Sequence, residues 1–249
     1  MRAMADAQWA FDAYEGIRDR LPRATFPAVS RQVDGLTSLI EEADVFLLDA
    51  FGVLNVGETA IPGAAQTVEA LTDAGKQVVV VSNAAGYCKR VMLERYRRLG
   101  FRFGDGDVVS SRDVLLAALA GWPAMHWGLM AARGFGREGI EHINGSFLAD
   151  DPADYERAEG FLFFGAGEWS EDRQNLLEAT LLDRPRPVLV GNPDLVAPRE
   201  TGLPQRSLAT SRTACATQRA LNPRFSANRS SISLTTPVQG SRTLRASGS

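Results

Sequence analysis

Two stretches carry residues whose types and spacing could do chemistry on an anionic substrate. Asp49 closes the apolar run Val45-Phe-Leu-Leu and opens into Ala-Phe-Gly-Val-Leu-Asn55, whereas Ser82 and Asn83 close the run Gln77-Val-Val-Val-Val. A carboxylate at a strand end can act as a nucleophile. A hydroxyl and backbone N–H groups nearby can hold phosphoryl oxygens, and a cation must offset the combined negative charge. In that arrangement Asp49 is the attacking group, and Ser82 with the Asn83 backbone is the phosphate cradle. Helix-forming residues follow Ser82 closely, so a helix N-terminus could add to the anion site. Taken alone, Asp49 suits a turn residue equally well.

The elements that must position these residues read as alternating strands and helices. An amphipathic helix is expected over residues 3–20, with Trp9, Phe11, Tyr14 and Ile17 at helical spacing. A short helix over 36–43 then leads into a buried strand ending at Asp49. Ile61-Pro-Gly63 introduces a helix over 64–74 with Gly75 as its stop. The Gln77–Ser82 run is too β-branched and apolar for a half-exposed strand, so a central parallel strand is expected. A helix over 87–99, a strand over 108–110 and a helix over 114–120 with Ser111 as N-cap follow. Ligands of open α/β sheets sit beyond the carboxyl ends of such strands, where Asp49 and Ser82 fall and where neighbouring strands would aim both side chains into one crevice. Between 122 and 200 the spacing loosens. Strands over 158–164 and 187–190 flank a helix over 170–182, as a second α/β unit inserted after the second or third strand of the first would require.

Composition narrows the partners. The chain has 249 residues, 45% of them apolar, and a net charge of −3. A nucleic-acid or anionic-membrane partner would ask for a basic excess, so neither is expected. No apolar run reaches bilayer length. Asp6, Asp12 and Glu15 break the N-terminal segment, which excludes a secretory signal within it. Cys88 and Cys215 make no disulfide framework, and His126 and His142 are too few and too distant for a zinc site. A reducing, cytoplasmic setting is expected; oligomeric state is left open.

The last segment departs from the rest. From Leu203 to Ser249 the 47 residues hold seven Arg and fifteen Ser or Thr but no Asp, Glu or Lys, leaving 20 of 27 basic and all 30 acidic residues before 203. It has neither sustained periodicity nor enough apolar residues for a core. Three readings remain: a basic tail for an anionic partner, a disordered extension, or, best suited to the abrupt change, a shifted reading frame.

Four motifs then stand in order: Asp49-Ala-Phe-Gly-Val53, the Gly57–Gly63 segment ending Ile-Pro-Gly-Ala, Val78–Asn83 ending Ser-Asn, and Asn192-Pro-Asp194 followed by Pro198-Arg-Glu200. Together they resemble the class IIA branch of the haloacid dehalogenase superfamily over residues 40–203. The resemblance implies a Rossmann-like parallel-sheet core with an inserted α/β cap. It also implies a magnesium-dependent phosphatase that acts on a small phosphorylated metabolite through an aspartyl-phosphate. It divides the chain into an N-terminal helical segment (1–43), the N-terminal half of an incomplete core (44–121), a cap (122–202) and the tail (203–249).

Residue by residue, Asp49 matches the phosphoryl acceptor and a metal ligand, the Phe51 backbone carbonyl a second metal ligand, and Ser82 the phosphate-binding hydroxyl. Asn192 and Asp194 match the cap motif near the substrate. Two departures imply impairment. Phe51 stands where the family pattern carries the general acid and base. The Gly-Lys-Pro and Gly-Asp motifs that supply the lysine and complete the magnesium site have no counterpart, since the last lysine is Lys89 and the last acidic residue Glu200. A non-catalytic phosphometabolite-binding or regulatory protein, or a non-functional frame-shifted product, are the alternatives.

Overall fold

The computed structural model describes residues 7–16, 18, 25, 28–135, 137–165, 169–192, 196–197 and 205–206. Helix α1 (Ala7–Glu15) comes first, and a 3-10 turn at Leu36–Leu39 leads into strand β1 (Val45–Asp49). The hairpin β2 (Asn55–Val56) and β3 (Thr59–Ala60) precedes α2 (Ala64–Asp73), β4 (Gln77–Ser82), α3 (Lys89–Arg98), β5 (Val108–Ser110) and α4 (Ser111–Leu119). A second series follows: β6 (Trp127–Met130), β7 (Gly145–Phe147), α5 (Pro152–Arg157), β8 (Gly160–Phe163), α6 (Glu171–Asp183) and β9 (Val188–Val190). The short pair β10 (Val196–Ala197) and β11 (Gln205–Arg206) is antiparallel. So Gln205 and Arg206, expected in a structureless tail, pair with a strand; residues 207–249 lie outside the described residues.

Local chemistry sets the element ends. Gly63 and Gly75 take left-handed φ values of 83° and 75° on either side of α2, where any side chain would be strained. Ser110, rather than Ser111, caps α4: its hydroxyl accepts from the Asp113 N–H while the Asp113 carboxylate accepts from the Ser110 N–H. Asp151 caps α5 ahead of Pro152, and Ser170 caps α6.

Two parallel sheets result, in agreement with the expected α/β class. The first has the order β1-β4-β5 and the second β7-β6-β8-β9. The second is buried on both faces. Phe161 and Phe163 of β8 pack with Tyr155, Leu177 and Leu181, while Leu162 packs on the other side with Trp127, Leu129, Ile140 and Leu115 of α4. All four residues of β6 and of β8 are buried. Neither β6 nor β7 nor α5 was expected from the sequence.

The first sheet corrects the expectation of fully buried central strands. Phe46, Leu48, Val78 and Val80 pack with Val68 and Leu71 of α2 and Met92 and Tyr96 of α3. The alternate residues are open: Val45 is 49%, Leu47 66% and Val81 38% exposed. The cause is topological. β1, β4 and β5 are adjacent in chain order, so right-handed crossovers put α2 and α3 on the same face, and no described helix covers the other. Two smaller corrections concern the N-terminal segment. The expected helix over 36–43 is one 3-10 turn followed by further turns, and Phe11 of α1 is exposed rather than packed.

An unpaired β1 edge beside an exposed Leu/Val face favours self-association. Leu47→Lys is expected to lower the light-scattering mass of the purified chain with an unchanged far-UV spectrum. A wild-type chain already monodisperse and monomeric would contradict this.

Candidate active site

The β1–β4 register brings Asp49 opposite Val81, one residue before Ser82, and Ser82 opposite Ser110 of β5. The carboxyl ends of the three strands therefore gather Asp49, Ser82 and Ser110 along one edge. They do not gather them on one face. Asp49 follows the open set Val45 and Leu47 and is exposed, whereas Ser82 follows Val78 and Val80 and is buried. The pleat alternates side chains, so two strand-end residues one position out of register emerge on opposite sides. The single crevice expected for both side chains is thus an edge that they approach from two faces.

The Asp49 carboxylate accepts from the Ala50 N–H at 2.7 Å. The loop beyond it is tight. The N–H groups of Leu54 and Asn55 both donate to the Ala50 carbonyl, the Gly52 N–H donates to that of Asn55, and Gly52 takes φ 85°. Asn55 is fully buried; its side-chain amide donates to the Gly57 carbonyl, and its Oδ1 has no partner. Phe51 is half-buried in this turn, bridged to Asn55. Arg95 of α3 secures the hairpin that follows, donating to the Gly57 carbonyl and pairing with Glu58 at 3.0 Å.

Beyond β4 the Ala84 N–H donates to the Ser82 hydroxyl at 3.2 Å. The Tyr96 side chain is buried in the core beneath β4. Burial, the largest cause, raises the Tyr96 phenol above its ordinary range against the opposing field of Arg95. Tyr96 and Asn55 are site neighbours that sequence reasoning missed. Tyr96 sits at an interior helix position that reads as ordinary core, and nothing in its local motif distinguishes it.

The second unit closes over the loop after Ser82. A Cβ at Gly165 would stand 3.1 Å from Gly86 Cα, and one at Gly191 only 2.9 Å from Ala85 Cβ, so the ends of β8 and β9 touch this loop through bare backbone. Asn192, partly buried, follows Gly191 and is thereby brought near the Ser82 loop. Asn83 is exposed. Asp194 and the segment 198–200 lie outside the described residues. Arg112 of α4 ties the units together: it donates to the Ala85 and Glu138 carbonyls at 3.4 and 3.0 Å and lies 4.7 Å over the Phe164 ring. Glu138 forms a two-pronged pair with Arg90 of α3 at 2.9 and 2.8 Å.

Among the described residues no group of three or more His, Cys, Asp or Glu is placed to hold a metal ion. Magnesium requires a near-octahedral set of oxygens. Asp49 and the Phe51 carbonyl are a fraction of one, so the residues present do not fit a complete magnesium site. His126 contacts Ser146 at 3.1 Å and has no place at this edge.

Residues 46–132 match the family described as haloacid dehalogenase-like hydrolase. Over that segment the chain is similar to the haloacid dehalogenase-like hydrolases. The motif order read from the sequence resembles their class IIA branch. The glycerol-3-phosphate phosphatase of Rattus norvegicus is 43% identical over 63 residues, which are 25% of this chain and 20% of that protein. A possible sugar phosphatase of Cytophaga hutchinsonii shares the fold with a TM-score of 0.66 at 17% identity, over 78% of this chain and 69% of that one. The glycerol phosphate phosphatase of Mycobacterium tuberculosis, solved with magnesium, superposes with a TM-score of 0.58 at 18% identity over 74% of this chain and 53% of that one. The matches thus span about a fifth of the curated relative and under seven tenths of the solved neighbours.

Glu138 supplies a test of how the units are held. Its hydrogen bonds to Arg90, and next to Cys88, keep its carboxyl below the ordinary glutamate value. A lowered acid stabilises above the unfolded value and loses that contribution as pH falls through the folded one. Glu138→Gln is therefore expected to lower the Tm at pH 7, the gap to wild type closing as pH falls below the ordinary glutamate value and through the lowered folded one. A gap that is constant with pH would show that charge at Glu138 plays no part.

Proposed function

We propose that this chain carries the nucleophile half of a phosphomonoester hydrolase site, with Asp49 as phosphoryl acceptor and Ser82 as the hydroxyl that holds the phosphoryl group. The pairing of β1 with β4, which sets Asp49 and Ser82 along one strand edge inside the matched segment, carries this reading. In it, residues 44–121 are half of the catalytic core and 122–202 the cap. Asn192 and Asp194 face the substrate from the cap, and residues 203–249 stand outside both. The substrate class is a small phosphorylated metabolite, as the names of the phosphatase relatives suggest, and the setting is cytoplasmic. No described helix is long and apolar enough to cross a membrane.

The chemistry follows from the groups present. An Asp49 oxygen attacks phosphorus, the new O–P bond forms as the ester O–P bond breaks, and the leaving alkoxide needs a proton. Ser82 and the Asn83 backbone N–H hold the equatorial oxygens. At the position from which the family pattern delivers the proton stands Phe51, which has none to give. Proton delivery by a placed acid contributes about 10² to 10⁴ in rate. Magnesium, when bound, would neutralise phosphate charge and hold Asp49 and the phosphate together. With only Asp49 and the Phe51 carbonyl as donors, no step is assigned to it.

These deficits favour binding over turnover. With magnesium and small phosphomonoesters, the purified chain is expected to bind phosphate saturably and to hydrolyse little or nothing, and any residual turnover should vanish in Asp49→Asn. Turnover that survives Asp49→Asn, or no detectable phosphate binding, would sink this reading.

A further inference from the structure

We infer that Arg112 is a positioning residue that holds the loop after Ser82 in the shape that offers its backbone N–H to a phosphoryl group. This inference rests on the phosphate-site reading above. The loop runs from Ser82 to Cys88, the residue before α3. At its start the Ala84 N–H donates to the Ser82 hydroxyl at 3.2 Å. One residue on, the Ala85 carbonyl accepts from Arg112 Nη1 at 3.4 Å, while Arg112 Nη2 donates to the Glu138 carbonyl at 3.0 Å. The Asn83 N–H, the group given to the phosphoryl oxygens above, thus lies between two pinned points, the end of β4 and the Ala85 peptide. Releasing the second would let that peptide rotate and carry the loop with it.

Packing removes the other options for Arg112. The residue is 6% exposed and its guanidinium lies 4.7 Å over the Phe164 ring, so it cannot swing to bulk water. Its helix is fixed as well, because Leu115, three residues on, packs with Trp127 and Leu162 of the second sheet. A planar fork can reach two carbonyls and lie flat on a ring, which a single ammonium cannot. Arg186 offers a contrast. It is also buried, donates to the Tyr155, Ala158 and Thr180 carbonyls at 2.6, 2.6 and 3.0 Å, and lies 5.2 Å over the Phe161 ring. The chemistry is the same, but every one of these partners belongs to the second unit. A loop shaped before the ligand arrives spares the cost of ordering it on binding.

Titration calorimetry with inorganic phosphate on the full chain separates the outcomes, each variant being held at a temperature where its far-UV spectrum is that of wild type. Arg112→Met is expected to weaken binding about three- to tenfold. Arg112→Lys, which keeps the charge but loses the fork, should bind as weakly as Arg112→Met. Arg186→Met should lower the Tm and leave phosphate affinity at the wild-type value. Three results overturn the inference while leaving the phosphate site standing: Arg112→Met binding as tightly as wild type, Arg112→Lys restoring full affinity, or Arg186→Met weakening binding as much as Arg112→Met. A wild type that does not bind phosphate overturns the site and the inference together. Should neither Arg112 variant fold, hydrogen exchange in the wild-type chain gives the same decision. Coupling between two places is reciprocal, so saturating phosphate should slow amide exchange in the turn 137–140, which Arg112 grips through Glu138, as well as in the loop 83–88. Slowing confined to the loop overturns the inference.

Discussion

The five-rung parallel pairing of β1 with β4 is the constraint on which the candidate site depends. Phe46, Leu48 and Ala50 must face the helices, because they are the residues that can be buried there without a polar penalty. Strict alternation then leaves Asp49 on the open side. A slip of one residue would drive the carboxylate into the layer of Leu71, Met92 and Tyr96, where an unpaired charge costs several kcal/mol or more. The apolar residues of β1 thus fix where its one charged residue can be. The Ala50 N–H then holds the carboxylate at the strand end.

The second unit supports the same edge by close backbone approach. Gly165 and Gly191 lie at the carboxyl ends of β8 and β9, where a methyl group on either would press into the loop 84–86. Arg112 runs between the units, its charge shared between two carbonyls and an aromatic face. That loop begins with the backbone N–H that meets Ser82. Packing between the units is therefore felt two residues from the proposed phosphate hydroxyl. In a core this dense a small shift of β8 or β9 has nowhere else to go.

Much of this was legible in the sequence where one physical signal dominated. The run Gln77–Ser82 could only be a strand, Gly75 could only end α2, and Asp49 and Ser82 fall at their strand ends as read. What escaped has identifiable causes. β6 and β7 are four and three residues long, and their Gly128 and Gly145 are small because Phe161, Leu148 and the Trp127 carbonyl crowd them, a requirement invisible without the partner strands. Burial of β4 was overestimated because a sequence shows what a strand can bury, not how many helices are present to cover it.

Charge balance gives the same account of the chain's chemical limits from another direction. A phosphate beside Asp49 concentrates negative charge, and a lysine or metal ordinarily offsets it. The chain has two lysines. Lys76 pairs with Asp44 at 3.1 Å, at the amino ends of the strands and thus remote from Ser82. Lys89 binds Asp113 at 2.7 Å and the Val108 carbonyl, tying α3 to β5 and α4. Arg95, the cation adjacent in sequence to Tyr96, is engaged by Glu58. Freeing any of these for a phosphate would undo a contact that holds a core element in place. At this edge the described groups fit recognition of a phosphoryl group by hydroxyl and backbone N–H. They lack the cations needed to stabilise the charge that develops when its ester bond breaks.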